Sequence, residues 1–140
     1  MLTLVAVFAL GFVAGLRTLL APAALLLVRG GIAGSVVAVA SLAELGIDLH
    51  PKAQSRTRPV ALTGRLISGG VTGWLFCAFV HGTPILGAVT GVIGALAGAF
   101  GGKAARLWLI ARIGRVPAAV LEDAVAIAIA WIALAMAGPR

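Results

Sequence analysis

The chain is predicted to be all-α, a polytopic bundle of four to five transmembrane helices, and three observations predict it. Its 140 residues are 61% hydrophobic and 11% charged, with a mean hydropathy of +1.14, whereas roughly a quarter of the residues of a soluble domain carry charge. The apolar residues fall into runs of membrane-crossing length, divided by Gly, Pro and basic residues. Lys and Arg collect at the ends of those runs, as membrane topology requires. The last point also argues against nucleic acid as the partner for a formal charge of +7. No polar segment is long enough for a soluble module, so residues 1–140 read as one membrane domain. A single cysteine, Cys77, excludes an intrachain disulfide and a Cys-based zinc site.

From Leu2 to Val28 the chain is apolar apart from Arg17. A single helix of that length exceeds a bilayer core of about 30 Å, so the run must tilt or break. The break is expected at Gly15 to Thr18, with Pro22 just beyond. A signal peptide is the rival reading, but there is no basic leading region and Arg17 interrupts the run. Arg29, Gly30 and Gly31 form a turn, and Ile32 to Asp48 reads as a short second span. Pro51 and Pro59 bracket a polar loop, Pro59 suiting the first turn of the next helix. The third span covers about Val60 to Val80, and Gly82, Thr83 and Pro84 turn the chain into a fourth. The fourth runs from about Ile85 to Phe100 and on into the basic segment Lys103 to Arg115. Pro117 opens a fifth, ending near Ala137. With five spans, Lys52, Arg56, Arg58, Arg65, Lys103, Arg106, Arg112 and Arg115 share one side, against Arg29 and Arg140. The bias puts that side, and with it the N-terminus, in the cytoplasm; a re-entrant second span would bring the C-terminus there too.

The hinge from Ser41 to Arg65 holds Glu44 and Asp48, one helical turn apart and at a helix C-terminus, where acids are unfavourable. Lys52, Arg56, Arg65 or Arg106, a bound cation, or protonation would compensate them. Glu122 and Asp123 follow Pro117 at the favourable end of their helix and point about 100° apart, so that each can meet a different neighbour. Arg17 either snorkels to the interface or is held against a carboxylate or anion. His50 and His81 are isolated, and Trp74, Trp108 and Trp131 suit interfacial anchoring. A metal at these carboxylates would compete with the arginines, and none is expected; nor is a cofactor. Motifs of hydrolases, metalloproteases and nucleotide-binding enzymes are missing.

Gly87, Gly91, Gly94, Gly98 and Gly101 recur at steps of four and three, a stripe on the fourth helix that Gly11 with Gly15 and Gly69 with Gly73 repeat on the first and third. Such faces let helix backbones approach closely in lipid. Packing within the bundle, a homo-oligomer seam and a glycine-lined passage all remain open. A small bundle that encloses a pathway does so most economically by symmetric association.

GLRTLLAPAAL, AELGIDLHPKAQSRTRP, LTGR, GGKAAR and LEDAVAI, taken together, resemble the bacterial membrane family called domain of unknown function 4126, over nearly the whole chain. The resemblance implies a GLR element, an acidic-Pro-x-x-Ser-Arg-Thr hinge and a Glu-Asp pair. It marks Arg17, Glu44, Asp48, Pro51, Ser55, Arg56, Thr57, Arg65, Glu122 and Asp123. The chain departs from it at Asp48-Leu49-His50-Pro51, where similar sequences often carry a lysine. No activity comes with the resemblance. From the residues themselves, the expected function is movement of a small ion or solute across a bacterial inner membrane by a homo-oligomer. Glu44, Asp48, Glu122 or Asp123 would handle the proton or cation, and Arg17, Arg56, Arg65 and Arg106 would be counter-charges. The alternative is a scaffold that binds lipid or a partner, its charges serving as structural ion pairs.

Overall fold

The computed structural model describes residues 1–30, 32–48 and 58–137, with residues 43–48 and 137 described by backbone alone. Six helices follow in order: α1 (Leu2–Leu16), α2 (Leu20–Arg29), α3 (Ile32–Asp48), α4 (Pro59–Phe79), α5 (Pro84–Ile113) and α6 (Arg115–Ala137). Among the described residues there is no strand. Pro59–Phe79, Pro84–Ile113 and Arg115–Met136 are each long and apolar enough to cross a membrane. Pro59 stands in the first turn of α4 and Pro84 in that of α5, where a missing N–H removes no helix bond. The 30 residues of α5 rise about 45 Å, so its last turns, from Lys103 on, exceed the length a bilayer core requires.

α1 is the central helix. It packs against α2, α4, α5 and α6, while Leu2, Val5 and Phe8 on its remaining face are exposed, so it is apolar both where it meets helices and where it faces outward. Val7, Leu10 and Val13 are fully buried there with Leu25 of α2 and Phe76 of α4, and Ala126, Ala130 and Leu134 of α6 complete the cluster.

Helix directions follow from which residues meet. Gly73 lies beside Val7 and beside Gly87, while Gly69 lies beside Gly91, so α4 runs opposite to both α1 and α5. Phe8 and Phe12 lie beside Gly94 and Gly98, so α1 and α5 run the same way. Arg17 meets Asp123, which places the start of α6 at the C-terminal end of α1. The guanidinium of Arg29 stacks 3.9 Å over the ring of Phe79, at the opposite end of the molecule. α2 therefore doubles back along the bundle. α3 turns again, with Gly34 against the backbone of Leu26 and Leu27, and touches no other helix among the described contacts.

This corrects the reading of the first apolar run. The break is where the sequence indicates, at Arg17 to Leu19, but it reverses the chain instead of kinking one long span. Met1 consequently lies at the Phe79 end, opposite the basic residues, and not on their side. The physical cause is a local break joined to a remote partner. Arg17 adopts an extended conformation (φ −138°, ψ 115°) that ends α1, and the last carbonyls of α1 are taken by α4 rather than by a continuing helix. Pro22 in the first turn of α2 lacks an N–H that would have no helical partner there in any case.

The glycines of α5 divide between two neighbours. A Cβ on Gly87 or Gly91 would run into the carbonyl of Gly73 or Gly69 of α4, and one on Gly94 or Gly98 into the carbonyl of Phe8 or Phe12 of α1. Gly101 has open space around its Cβ position and is exposed, whereas its neighbour Gly102 is buried.

Candidate functional site

The turn between α1 and α2 puts a helix C-terminus inside the bundle, where the carbonyls of the last turn have no helical partner and carry the negative end of the dipole. Arg65, two turns into α4 and buried, answers that need. Its Nη1 donates to the carbonyl of Gly15 at 2.5 Å and to that of Leu16 at 2.6 Å. One turn further along α4, the Ser68 hydroxyl donates to the carbonyl of Thr18. The bend is thus held by side chains of a helix remote in sequence.

Arg17, at the bend itself, is 2% exposed. Its Nε donates to Oδ1 of Asp123 at 2.7 Å, and its Nη2 lies 2.5 Å from the same oxygen. Glu122, the preceding residue of α6, is buried and meets Nη1 of Arg106 of α5 at 3.5 Å, the outer limit of a hydrogen bond. The two adjacent acids therefore serve two different elements. Asp123 ties α6 to the α1–α2 turn, and Glu122 ties it loosely to α5. Two carboxylates and three arginines thus converge at one end of the bundle, enclosed by α1, α4, α5 and α6. Desolvated charges of this kind are tolerable only when paired and hydrogen-bonded.

Of the acids and cations singled out by sequence, Arg17, Arg65, Arg106, Glu122 and Asp123 are brought together. The antiparallel course of α3 along α2 carries the backbone of Glu44 and Asp48 toward this same end. Their side chains, and the whole of Arg56, His50 and Lys52, lie outside the described residues. Arg58, Lys103, Arg112 and Arg115 are exposed around the cluster, and Arg112 stacks 4.7 Å over Trp108. His81 stands apart in an exposed turn at the Phe79 end, with a positive φ of 55°.

Ser68 escaped the sequence reading, as did Thr72, because neither sits in a recognisable motif. Their spacing from Arg65, three and seven residues, is the one available signal: it sets them on the face of α4 that holds Arg65. Compared with models of known families, with curated proteins and with solved structures, the chain matches none.

Proposed function

We propose that the chain is a multi-pass protein of a bacterial inner membrane that moves a small ion or solute, as a homo-oligomer, through a route beginning at the Arg17–Asp123 end. One observation carries this reading: a helix break inside the bundle, lined by the buried Arg17, Arg65 and Glu122 and the part-buried Asp123 and Arg106. Ionisable groups at membrane depth mark ion and substrate pathways. Interrupted helices whose exposed backbone ends meet charged groups recur at the binding sites of secondary transporters. Asp123 and Glu122 are the proton- or cation-handling groups in this scheme, with Glu44 and Asp48 as the further acids of the same end. Arg17, Arg65 and Arg106 are the counter-charges. The basic residues face the cytoplasm, and the N-terminus and residue 137 face the other side. The glycine surfaces of α1, α4 and α5 are occupied within one chain, so the seam between copies belongs to the helices with exposed outer faces.

The short contacts of Arg17 and the twofold donation of Arg65 favour a second reading, a lock that holds a scaffold together. Purified protein in liposomes separates the two. In the transport reading the original chain carries ion or proton flux, and Glu122→Gln, whose contact with Arg106 is the looser one, assembles as the original chain does while that flux or its pH dependence is lost. In the scaffold reading the original chain carries no flux, and Asp123→Asn lowers stability alone.

A further inference from the structure

The polar face of α4 extends deeper than the charged cluster. At about 100° per residue, Arg65, Ser68 and Thr72 fall within an arc of about 60°, and Thr72 lies about 10 Å further into the bundle than Arg65. The next residue on that face is Phe76, fully buried in the apolar cluster with Leu10 and Leu25. Thr72 is thus the last polar side chain before a dry core.

Ser68 is engaged by the carbonyl of Thr18. Thr72 differs: it is 0% exposed, and its Oγ1 meets no hydrogen-bond partner among the described residues. Buried hydroxyls are paired in the large majority of cases, and a threonine in a helix commonly turns back onto the carbonyl four residues earlier. This one does neither. A hydroxyl both donates and accepts, which matches water better than a bare cation or an anion.

We infer that Thr72 Oγ1 is a binding position for a single water molecule, the deepest point of a polar file that continues from Arg65 and Ser68. The inference rests on the transport reading for its purpose, though not for its detection. The water is the inner station of the route, and Phe76, Leu10 and Leu25 are the apolar barrier that a moving ion or proton has yet to pass. Thr72 acts through this water, so it is a positioning residue rather than a group that handles charge itself.

The test uses Thr72→Val, which keeps the shape and deletes the hydroxyl, and Thr72→Ser, which restores it. In X-ray radiolysis, hydroxyl radicals formed at bound water label adjacent side chains. The original chain and Thr72→Ser should be labelled between Thr72 and Phe76, and Thr72→Val should not. The flux of Thr72→Val should fall while that of Thr72→Ser persists, and the thermal midpoint of Thr72→Val should not rise. Absence of label in the original chain, or a raised midpoint for Thr72→Val, overturns the inference by identifying the hydroxyl as an unsatisfied group. If label is present but the original chain conducts nothing, the water site stands and the transport reading falls.

Discussion

The wall where α1, α4 and α5 meet and the charged end around the α1–α2 turn solve the same problem by opposite means. Both bring backbones of different helices together where lipid gives apolar side chains little reason to associate. In the wall the closest approach is made by backbone: Gly69 and Gly73 lie against the backbone of Gly91 and Gly87, with Ala95, Cys77 and Val7 beside them. At the charged end the longest side chains span the gap, Arg65 reaching the carbonyls of Gly15 and Leu16, and Arg17 reaching Asp123. The difference teaches where each region is fragile. The wall tolerates no added atom, because what a new Cβ would strike is backbone. The charged end can absorb small shifts through flexible side chains but cannot lose a partner, because a buried charge then stands alone.

The largest effect should come from the wall. Gly73→Leu and Gly91→Leu drive a side chain into a facing carbonyl, and since even modest overpacking costs about 1–3 kcal/mol, this greater clash should prevent folding or split the bundle. Size-exclusion chromatography in detergent and proteolysis would detect it. Wild-type behaviour of both variants would mean that the helices do not touch there.

Next comes the pair of the buried Arg17 with the part-buried Asp123. Arg17→Ala leaves Asp123 facing the bend without its cation, and should lower stability by about 3–5 kcal/mol in a denaturant titration. The double variant Arg17→Met with Asp123→Leu should recover most of that loss, since an apolar pair of similar volume is often neutral or stabilising. A double variant as unstable as Arg17→Ala would show that the residues act independently.

Arg65→Lys is expected to be milder. A lysine keeps the charge at the end of α1 but lacks the planar guanidinium, and losing a charge-assisted hydrogen bond costs about 1.5–3 kcal/mol. Hydrogen exchange should rise at the end of α1 and the start of α2, and not within the wall.

The smallest effect belongs to Gly101. It shares the stripe of Gly91 in sequence but has open space at its Cβ position, so Gly101→Ala should be neutral or should stabilise α5 by up to about 1 kcal/mol. Placed beside Gly91→Leu and Gly91→Ala, it tests whether close approach or mere membership of the stripe makes a glycine indispensable.

Much of the bundle is legible in the chain because lipid makes the code simple. Long apolar runs must become helices to satisfy their own backbone groups, and Pro59, Pro84 and Gly82 punctuate them whatever they pack against. Ile32 to Asp48 and the start of α4 follow from that alone. The break near Arg17 is legible for the same reason, as is the capacity of Glu122 and Asp123 to address two neighbours, since adjacent helical residues diverge by about 100°.

What only the tertiary structure decided is direction and partnership. A break at Arg17 is compatible with a kinked span and with a reversal. The choice is made by Arg65 and Ser68, some 50 residues later, which take the carbonyls that a continuing helix would have used. Arg29 over Phe79 then places the return at the far end. Likewise Asp123 meets Arg17, 106 positions away in sequence, and Gly101 drops out of a stripe whose spacing includes it. Composition and periodicity report how a segment satisfies itself. Which remote group satisfies its leftover carbonyls and charges depends on how the helices are arranged around α1, and no local pattern encodes that arrangement.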